Sequence, residues 1–170
     1  MDPRRSGARP LNAMPVVVPD ASVLLKWVLP SDDEPDVDKA LLMRAAIRDE
    51  AVHALLPAVW LYEVGNTIAR RFPMHASAWL SALIKFGLEE ASPSQLWLAK
   101  TLELTRRYEV SFYDAAYHAL ALVHQGLFVT ADSRYVNRVT EAGSVIALRE
   151  WQPPHITSPH RHRRKRGSTL

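Results

Sequence analysis

The sequence contains no cysteine, only six glycines, and no long hydrophobic run among its 170 residues. Without cysteine there are no disulfides, thiolate nucleophiles or cysteine-ligated zinc, and a cytoplasmic location is favoured because disulfides belong to oxidising compartments. No apolar run approaches the roughly 20 residues of a membrane-spanning helix, and the apolar stretch after the basic N-terminus is too short for a secretory signal. The overall composition, with 48% hydrophobic and 23% charged residues, is ordinary for a globular domain.

Charge is distributed unevenly along the chain. Of the net charge of +3, residues 1–14 contribute +2 and residues 153–170 contribute +5, so the part between them carries −4. Both ends are rich in Arg and Pro and lack hydrophobic periodicity. We therefore predict a flexible basic arm at 1–14, a single folded domain at 15–152 and a disordered basic tail at 153–170. The run from Arg161 to Arg166 suits a non-specific RNA contact; the alternative is a tail without a role.

Short apolar runs alternate with longer amphipathic segments in the folded part. The first run, Val16 to Val18, is β-branched and extended, and it ends at Pro19, which has no N–H to donate. A run without polar alternation is typical of a strand covered on both faces, as in a parallel sheet. The sequence predicts strands at 15–19, 54–57, 109–110, 127–130 and 144–148, and helices at 21–29, 37–52, 58–72, 73–88, 93–107 with Ser92 as N-cap, 111–125, and from Asp132 to 143.

Four acidic residues follow the predicted strands. Asp20 and Asp132 come directly after apolar strands, Asp114 lies in the first turn of a helix, and Glu63 lies in the second turn of another. If the strands are parallel, all four lie at the carboxyl edge of the sheet, where ligands bind in open α/β folds. Glu63 is surrounded by apolar neighbours, where a carboxylate is costly unless it is paired or ligated. Asn66, three residues later, shares its helix face.

Each acidic residue also has a structural explanation. Asp20 and Asp132 are suitable helix N-caps, and Ser111 and Asp114 have the spacing of a capping box. The alternative for Glu63 is a side chain that points into solvent. Taken together they indicate a metal site, because carboxylates brought close repel one another and raise one another's pKa unless a cation neutralises them. Oxygen ligands select Mg²⁺ or Mn²⁺ rather than zinc.

These residues carry a resemblance to PIN-domain proteins, in particular to VapC-type toxin ribonucleases. The matching pieces are 17–23, 63–66, 111–121 and 128–134. The resemblance implies an α/β PIN-like three-layer fold, with a small parallel sheet flanked by helices. It implies a Mg²⁺- or Mn²⁺-dependent endoribonuclease, typically a homodimer that a cognate antitoxin protein neutralises. The family's roles fall on four catalytic and metal-binding carboxylates and on accessory polar residues: Asp20, Glu63, Asp114 and Asp132, with Ser22, Asn66 and Thr130.

One residue departs from the family pattern, and one rival function stays open. His118 stands where an apolar residue is commoner, and we expect a supporting or surface group rather than a metal ligand. The five tryptophans are expected mainly in the core or at interfaces, although base stacking is an alternative. The apolar helix at 73–88 suggests a dimer or antitoxin groove. The rival to an endoribonuclease is a non-catalytic PIN-like module that only binds RNA or protein.

Overall fold

The computed structural model describes residues 14–29 and 34–154. The predicted basic arm, apart from Met14, and nearly all of the predicted basic tail lie outside these residues. The strands are β1 (Val16–Pro19), β2 (His53–Leu56), β3 (Glu89–Glu90), β4 (Leu127–Thr130) and β5 (Val145–Ala147). The helices are α1 (Ala21–Leu25), α2 (Val37–Arg48), α3 (Trp60–Arg71), α4 (Ala76–Phe86), α5 (Gln95–Tyr108), α6 (Phe112–Val123) and α7 (Ser133–Val139), with 3₁₀ turns at Thr140–Ala142 and Leu148–Glu150.

The described strands form one sheet in the order β3-β2-β1-β4-β5, and every neighbouring pair is parallel. The central strand β1 pairs Val17 with Ala54 of β2 and with Leu127 of β4. Helices cover the sheet, and the predicted α/β fold with a small parallel sheet is confirmed. Since all the strands run the same way, their carboxyl ends meet at one edge, as the carboxylate hypothesis requires.

The predicted strand at 109–110 is wrong, and the edge strand β3 was missed. Glu109 has a left-handed backbone (φ 52°) and ends α5 as its C-cap. The strand that pairs with β2 is instead Glu89–Glu90, whose register places Glu89 beside Leu55. Two exposed glutamates show no apolar period, so only pairing with a neighbouring strand identifies them as β structure.

Several helix ends also differ from prediction. The N-cap of α5 is Ser94 rather than Ser92, because the Ser94 hydroxyl accepts a hydrogen bond from the backbone N–H of Trp97 at 3.2 Å. Helix α2 ends at Arg48, four residues before the predicted end at 52, and the chain then turns through Glu50 (φ 55°). Helix α1 ends at Leu25 rather than at 29, and α4 begins at Ala76 rather than at 73.

The core lies between the sheet and the helices and includes the tryptophans that the sequence assigned to it. Trp27, Trp60 and Trp151 are buried, as predicted. Helix α6 is buried along most of its length because its alanines allow a close approach to β1 and β4 on one side and to α5 on the other. In the described ranges, no helix has the length and apolar character needed to cross a membrane.

Gly126 precedes β4 where the chain passes close to β1. A Cβ atom added at this position would lie 2.9 Å from both the carbonyl oxygen and Cγ1 of Val16. We expect Gly126→Ala to lower the free energy of unfolding by about 1–3 kcal/mol, because backbone must shift to relieve the contact. Urea denaturation measures this, with Gly65→Ala as the control, since a Cβ there meets nothing closer than 3.9 Å and alanine favours the helix. Equal stability of the two variants would contradict the expectation.

Candidate active site

Asp20 stands at the end of β1 and is held by two hydroxyl groups. Its Oδ2 accepts hydrogen bonds from Ser22 Oγ at 2.6 Å and from Thr130 Oγ1 at 2.7 Å. Its backbone N–H donates to the carbonyl oxygen of Val129 at 2.9 Å, which joins the ends of β1 and β4. Asp20 occupies the N-cap position of α1 but makes no side-chain capping hydrogen bond. The carboxylate is therefore held between Ser22 at the start of α1 and Thr130 at the end of β4.

Glu63 is positioned by a tyrosine that the sequence interpretation did not single out. The Tyr117 hydroxyl donates to Glu63 Oε2 at 2.6 Å, and the Tyr117 side chain is buried. This bond joins α3 to α6 and holds a carboxylate that is itself half-buried. The available signal was spacing, because Tyr117 follows Asp114 by three residues and so shares its helix face.

Asp114 lies in the first turn of α6, where Ser111 forms the N-cap half of the predicted capping box. Its backbone N–H donates to Ser111 Oγ at 3.1 Å, and the same hydroxyl donates to Asp114 Oδ2 at 2.6 Å. This structural role does not remove it from the site, because its negative charge acts on both Asp20 and Glu63. The start of α6 thus brings a third carboxylate to the edge where β1 ends.

Asp132 belongs to the same edge but is engaged differently. Its Oδ1 accepts from the backbone N–H groups of Arg134 at 2.8 Å and Tyr135 at 3.2 Å, as the N-cap of α7. Its own N–H donates to Thr130 Oγ1 at 3.0 Å, so a single threonine hydroxyl contacts both Asp20 and Asp132. The remaining predicted accessory residue, Asn66, is exposed on α3.

The electrostatics of the site are those of crowded carboxylates. Burial raises the pKa of Asp20, the hydroxyls of Ser22 and Thr130 lower it in part, and the charge of Asp114 raises it further. Burial likewise raises the pKa of Glu63; the bond from Tyr117 opposes this, and the charges of Asp20 and Asp114 add to it. A raised carboxyl pKa means that the negative charges lack compensation in the protein alone.

The residues fit an oxygen-preferring cation by their chemistry. Within residues 14–29 and 34–154, no Lys, Arg or His forms a salt bridge with Asp20, Glu63 or Asp114. In the same ranges, no three His, Asp or Glu side chains are already grouped closely enough to hold a metal ion. Carboxylates that lie within electrostatic reach of one another repel, and a divalent cation is the ligand that would relieve this repulsion. The donors are all oxygens, which suits Mg²⁺ or Mn²⁺.

His118 is a fully buried supporting residue, so the surface alternative for it is wrong. Its Nε2 lies 2.7 Å from the carbonyl oxygen of Gly143, and its Nδ1 lies 3.0 Å from the hydroxyl of Tyr135. A carbonyl only accepts, so Nε2 carries the proton and Nδ1 accepts from Tyr135. Burial lowers the pKa of His118, which keeps the ring neutral. The histidine joins α6 to α7 behind the carboxylates.

Comparison with known proteins agrees with this architecture. The family model described as the PIN domain matches residues 17–141. A toxin–antitoxin complex from Klebsiella pneumoniae aligns with a TM-score of 0.56 at 16% identity, covering 78% of this chain and 97% of that chain. PAE2754 from Pyrobaculum aerophilum aligns with a TM-score of 0.56 at 19% identity, covering 80% and 92%. At such identities the likeness establishes the fold alone. No curated protein sequence matches the chain.

Proposed function

The chain belongs to the PIN domain family, whose members are generally nucleases that use divalent metals, and on that premise we propose that it is a Mg²⁺- or Mn²⁺-dependent endoribonuclease. It would hydrolyse phosphodiester bonds of RNA at the carboxyl edge of the sheet. The observation that carries the proposal is that three carboxylates, Asp20, Glu63 and Asp114, lie within electrostatic reach of one another at the carboxyl edge of the sheet. Their charges act on one another, and none has a salt-bridge partner in the described part of the chain.

Asp20 and Asp114 are the residues that would hold the ion. A bound Mg²⁺ or Mn²⁺ supplies charge stabilisation for the phosphoryl oxygens and lowers the pKa of a bound water. Ser22 and Thr130 both donate to Oδ2 of Asp20. These two bonds set the rotation of the carboxylate and leave Oδ1 without a hydroxyl partner. The two hydroxyls therefore orient Asp20 rather than take part in the reaction.

Glu63 is suited to receive the proton of the attacking water. A general base works best when its pKa lies near the operating pH, and burial moves the pKa of Glu63 upward in that direction. Tyr117 donates to Oε2 at 2.6 Å and fixes the carboxylate on α3 relative to Asp114 on α6. In this arrangement Tyr117 is a positioning residue, while Glu63 contacts the reacting water.

Asp132 and Asn66 complete the proposed assignment at the edges of the site. Asp132 uses Oδ1 as the cap of α7, which leaves Oδ2 as the oxygen to face the substrate or an ion. Asn66 is exposed one helical turn beyond Glu63, at a distance in sequence that keeps it on the same face. We assign it a contact to RNA rather than to the ion.

The biological role that we propose is the toxin of a toxin–antitoxin pair in the cytoplasm. Support comes from the fold, which is shared with a toxin–antitoxin complex of Klebsiella pneumoniae. A cognate antitoxin and a second copy of the chain are the expected protein partners. Large apolar side chains on the outer helices offer surface for them, among them Ile84 of α4 and Leu96 and Leu102 of α5, all exposed.

The rival function, a PIN-like module that binds without catalysis, differs from the nuclease in its response to metal. We expect Mn²⁺ to raise the melting temperature of the metal-free protein, because an ion that binds only the folded state stabilises it by mass action. At a hundred times Kd the gain is about 2.7 kcal/mol, or roughly 5–10 °C for a chain of this size. Differential scanning fluorimetry across millimolar Mn²⁺ measures it.

The control for this measurement is Asp20→Asn, which should show a much smaller shift because it lacks one ligand charge. A wild-type melting temperature that stays constant over the whole Mn²⁺ range would contradict the metal site and favour the binding module. Endoribonuclease activity itself is tested by sequencing the ends of RNAs cut by the purified protein with Mg²⁺, and with EDTA as the blank.

A further inference from the structure

His118 and Tyr135 form a buried polar link between the helix that carries Asp114 and the helix that Asp132 caps. Both side chains of the link are buried. Nδ1 of His118 accepts from the Tyr135 hydroxyl at 3.0 Å, and Nε2 donates to the carbonyl oxygen of Gly143 at 2.7 Å. The roles assigned above give this link no part in the reaction.

Each partner of the link lies one helical turn behind a carboxylate of the site. His118 follows Asp114 by four residues on α6, and Tyr135 follows Asp132 by three residues, spacings that share a helix face. The backbone N–H of Tyr135 also donates to Asp132 Oδ1 at 3.2 Å. Burial raises the pKa of the Tyr135 hydroxyl, and the charges of Asp114 and Asp20 raise it further. The hydroxyl therefore lies within electrostatic reach of the carboxylates.

Helix α7 depends on tertiary contacts for its position. It is seven residues long, and helices shorter than about 12 residues are marginal in water on their own. Its buried side chains are Tyr135 and Val139, and the contacts of Val139 are apolar and therefore non-directional. Arg138 adds an exposed hydrogen bond to the carbonyl oxygen of Glu109 at 3.1 Å, near the other end of the helix. The bond from Tyr135 to His118 is thus the directional core contact at the end of α7 that Asp132 caps.

The surroundings of the link are aromatic, so packing alone does not require a histidine. The ring centroid of Phe128 lies 5.8 Å from that of His118 and 5.5 Å from that of Tyr135. An apolar side chain at position 118 would deprive the Tyr135 hydroxyl and the Gly143 carbonyl of their partner, and a buried polar group left unpaired is costly. A buried polar network whose members are all paired specifies one arrangement of the elements that it joins. The link therefore fixes how α7 lies against α6.

We propose that the link between His118 and Tyr135 sets the position of Asp132 relative to Asp114 and thereby tunes the affinity of the site for a divalent cation. The inference rests on the proposed function, in which Oδ2 of Asp132 faces either the substrate or an ion, and it assigns that oxygen to the ion. His118 and Tyr135 are positioning residues, because they act through the carboxylates and contact neither the ion nor the RNA.

The test measures Mn²⁺ binding to the full chain by isothermal titration calorimetry, without RNA. Tyr135→Phe removes one oxygen and keeps the ring beside Phe128, so it breaks the link with little loss of packing. We expect the Kd for Mn²⁺ to rise about tenfold, the lower end of the 10- to 100-fold that supporting partners of metal ligands contribute. Tyr108→Phe is the matched control: the Tyr108 hydroxyl is also buried but has no hydrogen-bond partner among the described residues, so its loss should leave the Kd unchanged.

Two variants of His118 separate its two hydrogen bonds. The amide oxygen in His118→Asn replaces Nδ1 and accepts from Tyr135, whereas the amide nitrogen in His118→Gln replaces Nε2 and donates to Gly143. Both variants lose the ring that packs on Phe128, so they share that loss of stability. We expect His118→Asn to bind Mn²⁺ with a Kd close to that of the wild type, and His118→Gln to show the same rise in Kd as Tyr135→Phe.

A double-mutant cycle shows whether the link acts through Asp132. In an Asp132→Asn background, adding Tyr135→Phe should raise the Kd for Mn²⁺ no further, because the carboxylate that the link positions is already gone. An effect of Tyr135→Phe that is equally large with and without the Asp132 carboxylate would overturn the proposal, since the link would then act on the ion by another route.

Two further outcomes would overturn the proposal. An unchanged Kd for Tyr135→Phe, together with a lower melting temperature of the metal-free variant, would assign the link to stability alone. An equal rise in Kd for Tyr108→Phe would show that the loss of any buried aromatic hydroxyl has the same effect. If the wild type binds Mn²⁺ and cleaves RNA in these cases, the proposed nuclease stands and only the positioning role fails. A wild type that binds no Mn²⁺ would remove both.

Discussion

Replacing Asp20 with asparagine is expected to lower the rate of RNA cleavage about a thousandfold while leaving the protein folded. The variant loses a negative charge that would help to hold the metal ion. The ion supplies several kcal/mol of transition-state charge stabilisation, and a thousandfold loss in rate corresponds to about 4 kcal/mol. The fold should survive because the amide oxygen of asparagine can still accept from Ser22 and Thr130, which donate to Oδ2 of Asp20. Initial rates on a fluorogenic single-stranded RNA with Mg²⁺ measure the loss.

The control for folding is the melting temperature of the metal-free Asp20→Asn variant compared with that of the metal-free wild type. The pKa of Asp20 determines how this difference changes with pH. Because burial raises the pKa of Asp20, the folded state holds the proton more tightly than the unfolded chain. This stabilising contribution is complete below the unfolded pKa and is lost as the pH rises through the folded pKa. Asp20→Asn should therefore melt above the wild type at neutral pH, with a smaller difference in acid. Near-wild-type cleavage by the variant in excess Mg²⁺ would disprove the assignment of Asp20.

Glu63→Gln is expected to reduce cleavage about a hundredfold, less than the loss for Asp20→Asn. A glutamine cannot take a proton from water, and general-base catalysis contributes roughly 10²–10⁴ in rate. Its amide oxygen can still accept from the Tyr117 hydroxyl, so the link between α3 and α6 is retained. The expected signature is a lower kcat with little change in KM, since RNA binding does not depend on the proton.

Tyr117→Phe separates orientation of Glu63 from its chemistry. The variant keeps the Glu63 carboxylate but loses the 2.6 Å hydrogen bond that orients it. Loss of such a supporting contact typically lowers activity about 10- to 100-fold. We expect about a tenfold loss and a pH–rate profile whose acidic limb moves, because the bond from Tyr117 lowers the pKa of Glu63. If Glu63→Gln cleaves as fast as the wild type, Glu63 is not the base and Tyr117 serves stability alone.

The elements that could be predicted from the sequence are those with strong local signals. Strand β4 was predicted at its observed bounds because Leu127 to Thr130 is an apolar run that follows a glycine stop. The start of α6 was predicted from the spacing of Ser111 and Asp114, a signal contained within four residues. Strand β3 was missed because Glu89 and Glu90 become a strand only by pairing with β2, which lies more than thirty residues earlier in the chain.

In the candidate site, too, some features could be predicted from local sequence signals and others could not. The sequence predicted which carboxylates follow the strands, and the parallel sheet places Asp20, Glu63 and Asp114 within electrostatic reach of one another. The sequence also offered Asp132 as a helix N-cap, and the structure shows Asp132 in that role at the start of α7. It did not decide whether His118 is a surface or a supporting group, because the burial of His118 depends on how α7 packs against α6, which no spacing within a segment specifies.

The sequence by itself determined the alternation of strands and helices, the placement of acids at strand ends and the uneven charge along the chain, because each depends on neighbours within one or two turns. Tertiary structure alone decided the contacts that make a site: Thr130 meets Asp20 across 110 residues, and Tyr117 meets Glu63 across 54. It also formed an apolar cavity between the segment before α3, the first turns of α5 and the start of α6. The reason is that side-chain hydrogen bonds and cavities form where packed elements converge, and that convergence is set by sheet order and helix packing rather than by any local pattern.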